Sequence, residues 1–426
     1  MSSYFDVVAA LAAAGGALWL ISTLHRRLAG SRPGFDVSAP LLVGLGARAL
    51  SICALTVAPD LGSRIRGTDE AGFLHEADAL TDLPLDDPRW RHLLWGDLSV
   101  VPLLALRLAS GEVPVVAARV IQATIAITAI LLLAVAAFDL GGPTASKIFA
   151  WIAALEPAGV FFSTLLHDEA IVLLGEALLV LGLVTWWRRR SGGAAVMLLA
   201  GAAVLVAARP YLGGASILAC LAGLGFLEAN RRFGLRRALG LLAAVSVIAT
   251  AAALILLPRV APGQLQSLQE QHDFEYVGYR NLDLPPVEVT TTPGLTLTLL
   301  ERTGDFVTRP FPWQAENLSQ QLGAMGTLVW YGLAVAGLAA LVAARRNRDL
   351  WVRAVPILVL AGAQSAAYAL TLVNAGLGFR HRIHLALMVV LVLAVACTYI
   401  ATDPRAGRFR REARHGGLAP LPRRQR

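Results

Sequence analysis

Two short acidic stretches of the chain carry residue types that suit general acid and base chemistry. The first, GTDEAGFLHEADAL, begins with Asp69 and Glu70, and the second, LLHDEAIVLL, contains His167, Asp168 and Glu169. A carboxylate acts as a general base when it lies within hydrogen-bonding distance of the proton that it removes. Short polar side chains also cap helices, so N-capping is the alternative role for Asp69 and Asp168.

Basic residues form the second set with chemical potential, because a guanidinium group binds phosphate through two parallel hydrogen bonds. Ion pairs with the acidic stretches, or extension toward lipid headgroups, are the alternative roles. Two histidines three residues apart, His381 and His384, do not by themselves predict a metal site, and a need for a divalent cation stays open. The basic candidates are Arg209, Arg309, Arg380, His381 and Arg382.

The composition indicates which elements must position these residues. Of the 426 residues, 56% are apolar and only 15% are charged, whereas an ordinary soluble chain is about 45–50% apolar and about 25% charged. Apolar runs recur along the whole length and reach the roughly 20 residues that cross a bilayer as a helix. The sequence therefore predicts an all-α, polytopic bundle of transmembrane helices. It excludes a soluble enzyme, a secreted disulfide scaffold and an ordinary nucleic-acid-binding domain.

The apolar runs, taken in order, predict about eleven crossings. Segment 98–110 is interrupted by Pro102 and Arg107 and is too short to span, so we interpret it as a surface or re-entrant piece. The predicted crossings are 4–24, 38–58, 112–137, 148–165, 170–187, 192–208, 211–229, 238–258, 322–343, 351–374 and 383–401.

Arginine clusters between these crossings predict the orientation, because short cytoplasmic loops are rich in Lys and Arg. The clusters all fall on one side when the N-terminus is outside and the C-terminus is cytoplasmic. The segment 402–426 is then a basic cytoplasmic tail that lies against anionic lipid. The Ala- and Arg-rich composition is typical of high-GC bacteria and predicts a bacterial plasma membrane. The clusters are Arg26, Arg27 and Arg32, then Arg188 to Arg190, then Arg231, Arg232, Arg236 and Arg237, then Arg345, Arg346, Arg348 and Arg353.

Two long segments, 59–111 and 259–321, then lie outside, within a single transmembrane domain that spans 1–401. The first is acidic, and a stripe of apolar residues three apart predicts a juxtamembrane helix along the interface. The second is expected to contain a short helix near 293–308 and to cap an outer cavity. The apolar stripe consists of Ala71, Leu74, Ala77 and Leu80.

Several motifs are missing from the sequence. It contains no GxxxxGK[ST], no GxGxxG after a strand and no HExxH, so ATP-driven transport, nicotinamide chemistry and zinc proteolysis lack support. It also lacks the Asp-x-Asp pair that holds the metal of a nucleotide sugar. A lipid-borne phosphate substrate remains as a means of bringing an activated group to the outer side.

The arrangement resembles the GT-C superfamily of integral membrane glycosyltransferases, which includes protein O-mannosyltransferases and aminoarabinose transferases. The resemblance implies that GTDEAGFLHEA is the outer-loop element with the catalytic base, with Asp69 as its counterpart and Glu70 second. EPAGVFFSTLLHDEAIVLL is similar to a second acidic site of that superfamily, which points to Asp168 and Glu169. The RPFPW segment at 309–313 looks like one found in uncharacterised bacterial members.

The resemblance further implies inverting transfer from a polyprenyl-phosphate sugar, without a cofactor. Asp69 would take the proton of the acceptor hydroxyl, and basic side chains would stabilise the leaving phosphate. The expected acceptor is an envelope glycan, lipid or protein; membrane lipids are the other expected partners, and nucleic acid is not one. Interfacial anchoring is the alternative role for the aromatic candidates. The residues predicted to bind substrate are His167, Arg209, Tyr211, Arg309, Trp313, Arg380, His381 and Arg382.

Three other interpretations stay open at this point. An envelope polysaccharide polymerase or ligase would also use a lipid-linked donor but would depend on basic residues more than on a loop carboxylate. A lipid or solute transporter would place charged groups inside the crossings, and Arg48, Arg119, Glu156 and Glu176 do fall within apolar runs. A non-catalytic scaffold would tolerate loss of its carboxylates.

Overall fold

A computed structural model of the chain describes residues 2–58, 69–84, 86–90, 98–278, 284, 287–314, 318–373 and 375–402. Within these ranges the backbone is helical and contains no strand. The basic tail predicted at 402–426 lies outside the described residues beyond Thr402, as do parts of both long predicted outer segments.

Fifteen α-helices occur in the described ranges. They are α1 Ser2–Gly30, α2 Ser38–Val57, α3 Asp69–Thr81, α4 Val100–Ser110, α5 Val115–Leu155, α6 Pro157–Phe162, α7 Glu169–Arg189, α8 Gly192–Ala208, α9 Pro210–Phe233, α10 Leu235–Val260, α11 Pro262–Gly278, α12 Thr292–Thr308, α13 Leu318–Ala343, α14 Arg348–Leu370 and α15 Ala375–Thr402.

Nine helices in the described ranges are long and apolar enough to cross a membrane, which confirms the predicted helical membrane bundle. Helices α5, α7 and α15 are the most deeply buried, and their apolar side chains form the main core. Helix α10 has almost no buried surface and exposes large apolar side chains such as Val247 and Ile248. Such a helix is stable only where lipid covers it.

The 41-residue helix α5 is two antiparallel segments joined at Gly142. Gly142 has φ 80° and ψ −168°, and Pro143 follows it, so the backbone leaves the helical conformation there. A β-carbon on Gly44 of α2 would lie 3.2 Å from Ile127 Cδ1 and 2.8 Å from Ala154 Cβ. In a straight helix Ile127 and Ala154 would be about 40 Å apart. The chain therefore reverses at Gly142, between the two crossings predicted from the sequence.

The second segment of α5 is broken again at Glu156, where Pro157 begins α6. The Glu156 carboxylate accepts a hydrogen bond from the backbone N–H of Gly159. Arg48 of α2 donates to the carbonyl oxygens of Ala154 (2.9 Å) and Gly159 (3.3 Å), and its Nε donates to Ser163 Oγ (2.8 Å). The buried Arg48 thus satisfies the Ala154 carbonyl, which the helix break leaves without an intrahelical partner.

The two ends of the bundle differ in chemistry. At the arginine face, which contains Gly142 and the end of α7, Asp139 pairs with Arg32 (3.1 Å) and also with Arg188. The opposite end contains Asp168 at the start of α7 and is called the carboxylate face below. Helices α3 and α4 lie at this face and pack together through Ala77, Leu80 and Leu103.

The structure confirms several of the predicted elements. Helix α3 forms in the predicted acidic stretch, α12 corresponds to the short helix predicted near 293–308, and α4 is an 11-residue helix, too short to span. The prediction for 375–382 was wrong. The crossings predicted at 351–374 and 383–401 leave a turn between them, but α15 begins at Ala375, because the stretch 375–382 contains no proline that would end a helix.

Replacing Arg48 with leucine is expected to destabilise the bundle. The Ala154 carbonyl and Ser163 Oγ would lose the donor that Arg48 supplies, and the buried Glu156 would lose a neighbouring positive charge, so we expect a loss of about 3 kcal/mol. Unfolding in mixed detergent micelles measures this. Arg189→Leu, at an exposed position of α7, is the matched control, and equal stability of the two variants would contradict the role given to Arg48.

Candidate functional site

Four charged side chains meet at the carboxylate face and are called the charged cluster: Asp168, Glu169, Arg209 and Arg380. Arg209 NH2 donates to Asp168 Oδ1 (2.6 Å) and to Glu169 Oε1 (2.7 Å), and its Nε donates to Asp168 Oδ2. Arg380 donates from Nε to Glu169 Oε1 (2.5 Å) and from NH2 to Asp168 Oδ1 (3.0 Å). All four side chains are largely buried.

Three chain segments that are distant in sequence position the cluster. Asp168 and Glu169 begin α7, and Asp168 makes no side-chain capping bond, so capping does not explain this aspartate. Arg209 has extended backbone (φ −148°, ψ 94°) between α8 and α9, the conformation that a following proline favours. Arg380 lies in the first turns of α15. The site therefore depends on the packing of α7, α9 and α15.

Electrostatic balance makes the burial of the cluster tolerable, since two carboxylates face two guanidinium groups. Burial raises the pKa of the Asp168 carboxyl, but the charges of Arg209 and Arg380 outweigh burial and hold that pKa below its usual value of 3.8. Asp168 is therefore ionised at neutral pH. Both of its oxygens are occupied.

Glu169 differs from Asp168 in one respect. Its Oε1 accepts from Arg209 and Arg380 and lies 3.6 Å from His381 Nε2. Its Oε2 is buried and has no hydrogen-bond partner among the described residues. Glu169 is thus the carboxylate of the cluster with one oxygen that has no hydrogen-bond partner among the described residues.

An aromatic residue from α14 completes the cluster. The hydroxyl of Tyr368 accepts a hydrogen bond from Arg209 NH1 (3.1 Å). Its ring stacks on Phe306 of α12 (centroids 5.8 Å apart, 18° between planes) and on His384 of α15 (5.5 Å, 19°). His381 lies 4.6 Å from the same ring. Tyr368 therefore links helix α12 to the charged cluster.

A second ionisable pair lies deeper in the bundle. Glu176 follows Glu169 by seven residues on α7, which places it about 10 Å further along the helix. Its Oε2 lies 2.8 Å from His384 Nδ1, and both residues are fully buried. Glu176 Oε1 and His384 Nε2 have no hydrogen-bond partner among the described residues.

Arg382 is the arginine of this region whose pairing is incomplete. Its Nε donates to the carbonyl oxygen of Phe306 (2.9 Å), and its NH1 donates to Thr327 Oγ1 (3.3 Å). The side chain is 2% exposed, yet its NH2 has no partner and it forms no ion pair with a described carboxylate. A buried guanidinium with free N–H donors is a suitable site for an anionic group.

The acidic stretch of α3 is linked to the bundle by a separate ion pair. The buried Glu70 accepts from Arg119 Nε (3.2 Å) and NH2 (2.9 Å). This arrangement favours a structural role for Glu70 over the catalytic one predicted from the sequence. Asp69 begins α3, but its side chain lies outside the described residues, so its catalytic role stays a prediction.

The other predicted binding residues take different positions. His167 is buried, with its ring edge-on to Phe73 (6.4 Å), and Tyr211 lies at the start of α9, 6.5 Å from the Tyr368 ring. Arg309 pairs with Asp305 of α12 (2.7 Å). Trp313 is 79% exposed and stacks on Phe311 (4.8 Å, 6°). Neither Arg309 nor Trp313 contacts the charged cluster.

The sequence reasoning did not identify Tyr368 as part of the site and did not pair Glu176 with His384. Glu176 did have a detectable signal, because an ionisable residue within an apolar run is costly in a bilayer. Tyr368 had none, since a tyrosine near the end of an apolar run is a common interfacial residue. Within the described residues, no group of three His, Cys, Asp or Glu side chains is arranged to hold a metal ion.

Comparisons of this chain with protein-family models, with curated proteins and with solved structures found no match.

Replacing Asp168 with asparagine is expected to destabilise the bundle by about 3 kcal/mol, because Arg209 and Arg380 would then share one carboxylate in a buried site. The double variant Asp168→Asn, Arg209→Gln is expected to recover part of this loss. Unfolding free energies of the wild type, both single variants and the double variant measure the coupling, and additive losses would contradict it.

The Asp168 pairing also has a predicted pH dependence. Because the folded-state pKa is depressed, the stabilisation is fully present above the usual value of 3.8 and is lost as the pH falls through the folded-state pKa. Unfolding measured from pH 7 downward should therefore show a smaller acid-dependent loss in Asp168→Asn than in the wild type. Identical pH profiles of the wild type and Asp168→Asn would show that Asp168 is not responsible for the loss of stability in acid.

Proposed function

We propose that this chain is a membrane glycosyltransferase that moves a sugar from a polyprenyl-phosphate donor to a cell-envelope acceptor. The observation that carries the proposal is Arg382 of α15, two residues after Arg380 of the charged cluster, a buried guanidinium whose NH2 has no partner among the described residues. An anionic phosphate would supply the missing partner of Arg382. The resemblance of GTDEAGFLHEA and LLHDEAIVLL to GT-C enzymes supports the same function.

The three arginines first grouped as phosphate ligands take different roles in this proposal. Arg209 and Arg380 are already paired with Asp168 and Glu169, so they hold the carboxylates in place. Arg382 has no such partner, and it binds the phosphate. As the bond between the anomeric carbon and the phosphate oxygen breaks, the electron pair stays on that oxygen, where Arg382 stabilises the negative charge.

The acceptor hydroxyl forms the new bond to the anomeric carbon from the opposite side, so the configuration inverts. A carboxylate takes the hydroxyl proton. Asp69 is the base that the resemblance indicates, and Glu169 is the second candidate because its Oε2 is unpartnered. The reaction needs no covalent intermediate and no cofactor.

The proposal includes a finer topology. The two segments of α5 on either side of Gly142 and the 17-residue α8 bring the number of crossings to about eleven. The arginine face is then cytoplasmic by the positive-inside rule, and the carboxylate face is extracytoplasmic, in a bacterial plasma membrane. The N-terminus lies outside and the basic C-terminal tail inside. Polyprenyl-phosphate donors are presented on the outer side, where the carboxylate face lies.

Two alternatives remain. The pair of Glu176 and His384 inside the bundle favours a lipid or solute transporter, since ionisable groups at membrane depth line transport pathways. A polysaccharide polymerase or ligase would use Arg382 in the same way but would not depend on Asp69 or Glu169. The first experiment below separates these functions.

The purified protein in lipid nanodiscs, given a panel of polyprenyl-phosphate monosaccharides and acceptors, is expected to release polyprenyl phosphate. Arg382→Gln should reduce the release about tenfold to hundredfold, the effect of removing a hydrogen bond to a charged group. Asp69→Asn and Glu169→Gln are tested beside it to identify the base. Arg89→Gln, which removes an exposed pair with Asp87 on α3's side of the bundle, is the control and should keep full activity.

Release that persists in both carboxylate variants would favour the polymerase or ligase. If folded wild-type protein released nothing from any donor, the glycosyltransferase proposal would fail and the transporter would take its place.

Cysteine labelling tests the topology. In a variant without Cys53, Cys220 and Cys397, we expect Glu112→Cys to react with an impermeant maleimide in intact cells, and Gly192→Cys only after permeabilisation. If the chain reverses at Gly142, three crossings separate these positions, and the two cysteines lie on opposite sides of the membrane. If α5 were a single long crossing, two crossings would separate them, and both cysteines would lie on the same side. Labelling of both cysteines from the same side would therefore contradict the reversal, and labelling of Gly192→Cys alone would invert the orientation.

A further inference from the structure

The pair of Glu176 and His384 has no part in the chemistry proposed above. It lies about two helical turns below the charged cluster and is fully buried between α7 and α15. An apolar pair of similar volume would hold two helices together at lower cost, because buried ion pairs repay their desolvation poorly. The retention of two ionisable groups at this depth therefore calls for a role that an apolar pair would not serve.

The contacts of His384 indicate that role. Its Nδ1 lies 2.8 Å from Glu176 Oε2, which fixes the rotation of the imidazole. In that orientation the ring lies nearly parallel to Tyr368, with 5.5 Å between centroids and 19° between planes. An aliphatic side chain at position 384 would fill space but would not hold an aromatic partner in one plane.

Tyr368, whose ring orientation His384 restricts, also contacts the charged cluster. Its ring lies between His384 and Phe306, and its hydroxyl accepts from Arg209 NH1 at 3.1 Å. The other nitrogens of Arg209 bind Asp168 and Glu169. The bond to Tyr368 therefore holds the third nitrogen of a guanidinium whose other two nitrogens bind the carboxylates, and it helps to fix the guanidinium plane.

We infer that Glu176 and His384 are positioning residues that act through Tyr368 to hold Arg209, and through Arg209 the carboxylate of Glu169, in the geometry needed for the transfer. The chain of contacts runs from Glu176 to His384, Tyr368, Arg209 and Glu169. This role rests on the proposed glycosyltransferase function. It assigns these residues no contact with the donor or the acceptor, so their loss affects turnover and leaves donor binding intact.

Steady-state kinetics with a released-donor readout test the inference, using Tyr368→Phe, Glu176→Gln and the double variant. Each single variant is expected to lower kcat about tenfold, the effect of one hydrogen bond to a charged group, and to change the donor KM by less than about twofold. The kcat of the double variant should be no lower than that of the more impaired single variant, because both substitutions interrupt the same chain of contacts.

A conservative variant and a matched control separate positioning from general stability. The amide of His384→Asn can still donate to Glu176, so it should keep more activity than His384→Leu. Ser216→Ala removes the buried hydrogen bond from Gln364 Nε2 (3.0 Å), which joins α9 to α14 one turn from Tyr368. This control should lower the Tm as much as Tyr368→Phe does and leave kcat unchanged. The inference would be overturned if the two single losses of kcat multiplied in the double variant. It would also be overturned if kcat fell in proportion to Tm in every variant, including Ser216→Ala.

Failure of the proposed function is distinguishable from failure of this inference. If the wild type transfers no sugar, thermal unfolding of the same four proteins, the wild type, Glu176→Gln, Tyr368→Phe and the double variant, still reports the coupling. The chain of contacts predicts that the two losses of stability are not additive. Additive losses would show that Glu176 does not act on Tyr368, whatever the protein's activity.

Discussion

The pairing of two carboxylates with two guanidinium groups at one end of an apolar bundle is the interaction on which the rest of the site depends. Neither the carboxylates nor the arginines would be stable alone at this depth, because an isolated buried charge costs several kcal/mol. Asp168 and Glu169 come from α7, Arg209 from the junction of α8 and α9, and Arg380 from α15. Burying the four charges together therefore requires these helices to pack in one arrangement.

Breaks in the helices determine the path of the chain through the bundle as much as the helices themselves. The reversal at Gly142 and the interruption at Glu156 shorten the path from the arginine face to the carboxylate face and return the chain to the start of α7. Arg48 satisfies the Ala154 carbonyl that the second break leaves free. Non-helical backbone at membrane depth is stable only where the protein itself supplies such partners.

The arginines of the carboxylate face divide into two groups by their partners. Arg209 and Arg380 are saturated by carboxylates, whereas Arg382 keeps an unpartnered nitrogen. Residue type could not make this distinction, because all three arginines lie next to predicted crossings and satisfy the same rule for phosphate binding. The distinction comes from which helix faces each guanidinium. Arg382 donates to Thr327 and to a backbone carbonyl, and it forms no ion pair with a carboxylate of the described residues.

The sequence by itself determined the membrane class, the order of the helices, the amphipathic α3 and the placement of acidic and basic residues at the ends of crossings. These features depend on local composition and on the length of apolar runs, which a bilayer of constant thickness converts directly into helices. Only the tertiary structure decided that Glu70 pairs with Arg119, that Tyr368 joins the charged cluster, and that Glu176 meets His384. These contacts join residues 49 to 208 positions apart, and no local pattern specifies which face of one helix packs against which face of another.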